Sequence, residues 1–166
     1  MPPEPLFDVT ALKFNGVLAD RAAIEAVNPQ RHEMMQLSAI VHVDRSTHTI
    51  VGYKDISPDE FWVRGHMPGY PLMPGVVMCE VGAQLMSYYI RKYDVIPNDM
   101  IIFSGINSVK FRGQVRVGDR FVMVSHATKL SRRQVVSQVQ GFVGSKMVFE
   151  GEMVGMPFSP AGEAGA

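Results

Sequence analysis

Residues 74 to 93, PGVVMCEVGAQLMSYYIRKY, have helical length and side chains that are apolar almost all round. A helix without a polar face cannot lie on a surface, so the rest of the chain must enclose it. A proline at its first turn is tolerated, because the N–H it lacks has no partner there. What surrounds this segment reads as strands. Residues 37–44 (LSAIVHVD) alternate roughly in polarity and 48–56 (HTIVGYKDI) read as a return strand, predicting a hairpin turning at 45–47. Stretches 101–111, 120–130, 135–143 and 146–155 predict four more strands, broken by the turn-like RGQVRVGD, SRRQ and GS, and read as an antiparallel meander. Two strands, one buried helix and four strands imply an α+β fold, a strongly curved antiparallel sheet wrapped around a long central helix.

A chain of 166 residues with 46% hydrophobic content suits one domain with one core. Residues 1–19 lack periodicity and read as an N-terminal arm, 20–156 as the domain, and the small, Pro/Gly-rich 157–166 as a flexible tail. A short helix is predicted over 20–27, capped by Asp20 and stopped at Asn28-Pro29. Sixteen basic residues balance sixteen acidic ones, so no global field recruits nucleic acid or an anionic membrane. Cys79 is the single cysteine, which excludes an internal disulfide and fits a reducing compartment. Neither a signal peptide nor an apolar run of about eighteen residues is present, and a cytosolic location is expected.

The polar residues of the central helix, Glu80, Gln84, Ser87 and Arg91, share one stripe, expected to face a cavity, a partner subunit or water. A carboxylate in apolar surroundings pays desolvation unless it is paired or protonated. Glu80 is therefore either half of a buried structural pair or an acid with a shifted pKa. Ahead of it, GHMPGYPLMPG fixes a rigid loop that ends at the helix N-terminus, where free N–H groups favour negative charge. His66 is either a hydrogen-bonded loop anchor or a neutral base. Taken as a site, the stretch offers His66 as base, Glu80 as acid and the Gly75 and Val76 N–H groups as oxyanion donors. These are the parts needed to remove a proton beside a thioester carbonyl and expel a β-hydroxyl. The remaining histidines, His32, His42, His48 and His126, have no metal-ligand spacing, and no metal site is assigned. No phosphate loop, dinucleotide fingerprint or nucleophile elbow occurs.

The run GHMPGYPLMPGVVMCEVGAQ closely resembles the signature of the 3-hydroxyacyl-ACP dehydratases of bacterial fatty-acid synthesis, the hot-dog family, in which a His-Phe-Pro-Gly-x-Pro loop leads through Pro-Gly-Val to Glu-Ala-x-Ala-Gln. Fainter likeness covers about residues 22–156. The resemblance implies a hot-dog fold and a homodimer, with many members forming trimers of dimers. It implies that His66 abstracts the α-proton and that Glu80 of the facing protomer protonates the departing hydroxyl. The Gly75 N–H, with Val76, would polarise the thioester, Gln84 would orient Glu80, and Met67, Pro71, Leu72 and Met73 would line the acyl tunnel. It implies no metal or redox cofactor, the substrate arriving on the phosphopantetheine of an acyl carrier protein or as a CoA thioester. Arg91, Lys92, Lys129, Arg132 and Arg133 are either a landing surface for an acidic carrier or ordinary solvated charges. The sequence departs from the family at Met67, Gln30 and Val117, where Phe, His and Pro are usual, and at Gly82 in mid-helix. Competing readings are a hot-dog thioesterase or CoA hydratase, and a non-catalytic acyl-binding homologue.

Overall fold

The computed structural model describes residues 3–97 and 100–159. Its strands are β1 (Ala19–Asp20), β2 (Ala39–Asp44), β3 (Thr49–Asp55), β4 (Met100–Phe111), β5 (Arg120–Leu130), β6 (Val135–Val143) and β7 (Lys146–Phe158). Its α-helices are α1 (Arg21–Glu25) and α2 (Gly75–Lys92). The Asp20 carboxylate caps α1 by accepting from the Ala23 N–H at 2.9 Å, and Asn28-Pro29 ends that turn. The strands make one open antiparallel sheet in the order β1-β2-β3-β5-β6-β7-β4, with α2 packed across its inner face against β3 through β7.

The expected meander holds only for β5, β6 and β7. Strand β4 stands at the far edge, paired with β7 from Met100↔Phe158 to Phe111↔Phe149, and β5 lies beside β3. Alternation locates a strand but says nothing of its neighbour. Here α2 carries the chain across the sheet before β4 begins, so β4 lands on the opposite edge. Strand β7 also runs two residues into the segment read as tail, Pro157 pairing with Ile101 and Phe158 with Met100. Residues 160–166 of that segment lie outside the described residues.

Alternate residues of β5 sort to two cores. Phe121 and Met123 face α2 with Ile50, Val139 and Phe149, whereas Val122 and Val124 face outward with Val51, Tyr53 and Phe142. The outward set is covered by the N-terminal arm, whose Leu6, Phe7, Val9 and Leu12 pack on it. Gln140 ties the arm down, accepting from the Leu6 N–H at 2.7 Å and donating to the Glu4 carbonyl at 3.0 Å. Because both faces are covered, β3 and β5 read as near-continuous apolar runs. Gly82 seats the helix: a Cβ there would stand 3.2 Å from Met153 Cε and 3.6 Å from Val139 Cγ1, so side chains of the sheet come close.

Candidate active site

The loop between β3 and α2 is fixed before and after the segment that carries His66. The Ile56 N–H donates to the Asp119 carbonyl at 3.0 Å and its own carbonyl accepts from the Gly118 N–H at 2.9 Å, while the Met73 N–H donates to the Val115 carbonyl at 2.9 Å. Both legs of the loop thus hang from the β4–β5 connection. Ile56, Trp62 and Met73 are buried and anchor the loop in the core. Between them, residues 67–70 make a tight turn closed by the Tyr70 N–H on the Met67 carbonyl at 2.9 Å. Pro68 and Gly69 occupy its central positions, and Gly69 has φ +76, the value a type II turn demands of its third residue.

His66 is held from both sides. Its N–H donates to the Trp62 carbonyl at 2.7 Å, and its carbonyl accepts from the Leu72 N–H at 2.8 Å. Its ring Nδ1 lies 2.9 Å from the Leu72 carbonyl oxygen. A carbonyl can only accept, so Nδ1 carries the proton and the neutral ring presents a bare Nε2. Among the described residues Nε2 has no partner, and the imidazole is exposed. His66 is therefore a loop anchor through Nδ1, and its Nε2 is left without a partner among the described residues.

Helix α2 starts without a side-chain cap, Pro74 standing at its N-cap position. The Val77 and Met78 N–H groups turn back to the Pro74 carbonyl at 2.9 and 3.3 Å. The Gly75 and Val76 N–H groups have no acceptor among the described residues, and Val76 is 75% exposed. Two orphan donors on the positive end of an 18-residue helix suit a developing oxyanion. The ring of Phe111 covers this end: a Cβ on Gly75 would come within 2.6 Å of Phe111 Cε1. Only glycine admits so close a ring.

Glu80 is half-buried in the second turn of α2. Burial pushes its carboxyl above the usual value, against a smaller opposite pull from the Gln84 hydrogen bond. Gln84 Nε2 donates to Glu80 Oε1 at 2.8 Å and also to the Met34 carbonyl, while Gln84 Oε1 accepts from the Gln36 N–H at 2.9 Å. With a backbone donor on its oxygen and a backbone acceptor on its nitrogen, the Gln84 amide has one orientation, and that orientation aims its remaining proton at Glu80. The Asn28 side chain donates to the Gln84 main-chain carbonyl at 2.9 Å and so ties this turn of α2 to the connection that follows α1. At Gln84 the polar stripe therefore faces neither cavity nor partner nor water, but the connection from α1 to β2. That connection carries backbone groups needing partners, which the stripe supplies. Sequence reasoning missed Asn28 and Gln36 because what Gln36 contributes to Gln84 is its main chain, which no residue type announces.

Met67 and Tyr70 are exposed on the loop tip, Pro71 and Leu72 half-buried, and Met73 buried in the core. Of the four residues expected along the acyl path, Met73 thus faces the helix rather than open space. The Tyr70–Arg116 contact was not foreseen: the Arg116 guanidinium lies 4.6 Å over the Tyr70 ring and donates to its hydroxyl. Cys79 is buried, and burial pushes its thiol up, away from the reactive thiolate. Among the described residues no hydrogen bond or ion pair joins His66 to Glu80 of the same chain.

The FabA-like domain family matches residues 28–152. The 3-hydroxyacyl-[acyl-carrier-protein] dehydratase FabZ of Moorella thermoacetica is 30% identical over 135 residues, 81% of this chain and 94% of that protein. The enzyme of the same name from Pelotomaculum thermopropionicum is 31% identical, over 82% of this chain and 97% of its own length. Among solved structures, the dehydratase heterocomplex ApeI:P from Xenorhabdus doucetiae superposes with a TM-score of 0.70 at 10% identity, covering 83% of this chain and 92% of that one. Cj0977, a virulence protein of Campylobacter jejuni, superposes with a TM-score of 0.61 at 13% identity, over 82% and 88% of the two chains. These likenesses in shape agree with a hot-dog fold, the sheet curled about α2. By the match over most of its length, the chain belongs to the FabA-like family, alongside the FabZ 3-hydroxyacyl-[acyl-carrier-protein] dehydratases.

Proposed function

We propose that the protein dehydrates (3R)-3-hydroxyacyl thioesters of acyl carrier protein to trans-2-enoyl thioesters in fatty-acid biosynthesis, in the cytoplasm, with His66 as base and Glu80 of the facing protomer as acid. His66 Nε2 removes the proton from C2. The electron pair moves into the thioester carbonyl, whose oxygen takes hydrogen bonds from the Gly75 and Val76 N–H groups. As the pair returns to form the C2–C3 double bond, Glu80 protonates the hydroxyl leaving C3 and water departs. The proton count closes when the imidazolium returns its proton to the carboxylate through solvent. Gln84 holds the carboxyl in line, and Met67, Pro71 and Leu72 bound the acyl path, with Met73 packed in the core behind them. The chemistry calls for no metal or redox cofactor, since the carrier's phosphopantetheine presents the substrate.

The observation that carries this reading is the Nδ1 contact of His66 with the Leu72 carbonyl, which leaves a correctly tautomerised base on an exposed ring. Burial of Glu80 supports its role, because a raised pKa keeps the acid form available. Support for a homodimer comes from β4: among the described residues it pairs only with β7, and Ile102, Phe103, Ile106 and Phe111 stand exposed along it. A second copy adding its own β4 would cover that edge. The test is turnover of a short 3-hydroxyacyl thioester, followed by absorbance of the conjugated enoyl product. Wild-type protein is expected to form it and His66→Ala and Glu80→Ala to form none; ester hydrolysis without enoyl product would instead indicate a thioesterase.

A further inference from the structure

Strand β3 places Ile50, Gly52 and Lys54 on one face, and that face meets α2: Ile50 lies in the inner core and a Cβ on Gly52 would touch Leu85. Lys54 is thus a lysine on the core side of a central strand. Its ammonium is 2.8 Å from the Glu60 carboxylate, and the two side chains are 7% and 11% exposed. An interior charge pair is weak evidence for stability, because its desolvation cost rivals its attraction. Its placement, however, is specific. Glu60 opens the turn that ends at His66: its carbonyl accepts from the Val63 N–H at 3.0 Å, and the Trp62 carbonyl accepts from the Gly65 and His66 N–H groups at 3.1 and 2.7 Å. Between the Ile56 anchor and this turn, Ser57 and Asp59 are exposed and bonded to each other by a local Asp59 N–H to Ser57 Oγ contact alone. Among the described residues, the Lys54–Glu60 pair is the polar tie between that stretch and the sheet.

We infer that the buried Lys54–Glu60 ion pair is a positioning device for His66, fixing the turn from which the catalytic loop springs to the rigid strand β3. The inference rests on the reading of His66 as the base. The pair touches neither substrate nor the reacting atoms and acts through Trp62 and the His66 N–H. Severing it loosens the start of the turn while Trp62 and Met73 stay anchored in the core, so substrate binding persists and proton abstraction suffers. The sequence carries the signal in a lysine continuing an apolar period-two face, followed six residues later by a glutamate.

The test uses Lys54→Met/Glu60→Leu, which removes both charges so that neither is left buried alone. The folded double variant is expected to lose kcat on the order of a hundredfold, the effect of a displacement of about 1 Å, with KM unchanged. Amide hydrogen exchange is expected to rise over residues 57–66 and to stay at wild-type levels in α2 and the sheet. Where that variant does not fold, Glu60→Gln keeps a hydrogen-bond acceptor for Lys54 and is expected to show a smaller loss of kcat, again without change in KM. A folded variant with wild-type kcat and wild-type exchange over 57–66 overturns the inference. Wild-type turnover and its loss in His66→Ala are measured first; if wild type gives no enoyl product, the dehydratase reading fails, and the exchange measurement still decides whether the pair holds the turn.

Discussion

At the level of single residues, the proposed site divides its labour between groups that would react and groups that leave them no freedom. Gln84 is fully buried and spends both ends of its amide on orientation. Its hydrogen bond also pulls the Glu80 pKa down against burial. Gln84→Leu should therefore do two things. The carboxyl loses its director, so kcat falls. Its pKa climbs further, so the alkaline limb of the rate profile, where the acid form disappears, moves to higher pH. A pH–rate series checks both, and a limb that stays in place or moves to lower pH contradicts the assignment. Gly75 offers a second case. Alanine there meets the Phe111 ring, but Phe111 is exposed and can swing aside. Gly75→Ala should leave the melting temperature nearly unchanged and reduce kcat/KM, because the displaced ring no longer shapes the space over the Gly75 and Val76 N–H groups. Adding Phe111→Leu should recover part of the loss, which steady-state kinetics of both variants will show.

Among the elements, α2 bears most of the consequence. A helix apolar all round, with a carboxyl in its second turn, folds more readily when that carboxyl is neutral. Because the Glu80 pKa is raised in the folded chain, its contribution to stability is fully present below the ordinary carboxylate value and is lost as pH rises through the raised one. Glu80→Gln should flatten that part of the pH–stability curve measured by denaturant unfolding, with Asn28, Gln36 and Gln84 otherwise in place. The existence of α2, the β2–β3 hairpin and β5 through β7 was legible because each is a largely apolar stretch bounded by proline, glycine or charged turns. The neighbour of β4 was not, since pairing order depends on where α2 delivers the chain. The partner of the polar stripe was equally hidden, because at Gln84 it consists of backbone groups of residues 34 and 36. His66, Glu80, Gly75 and Val76 could be singled out in the sequence as candidates, while the tautomer of His66 became visible only with the Leu72 carbonyl 2.9 Å from its Nδ1.

For the whole molecule, the open edge of the sheet and the proposed sharing of one site between two protomers are one question. Strand β4 is twelve residues long, lies at the sheet's edge and shows apolar side chains along it. Natural edge strands of this length are covered, and an antiparallel pairing of β4 with its copy would generate a two-fold axis. Lysine in place of Ile106, on that edge, should convert a dimer to monomer in sedimentation and abolish turnover with it. The most direct measurement is complementation: His66→Ala and Glu80→Ala chains are each assayed for enoyl thioester formation, then unfolded, mixed and refolded together. Each alone should be inactive, and the mixture should regain about a quarter of wild-type turnover, since half of randomly assorted dimers are mixed and each mixed dimer holds one intact site of two. Mixed dimers demonstrated by mass, with no return of activity, would contradict a site shared between His66 of one protomer and Glu80 of the other.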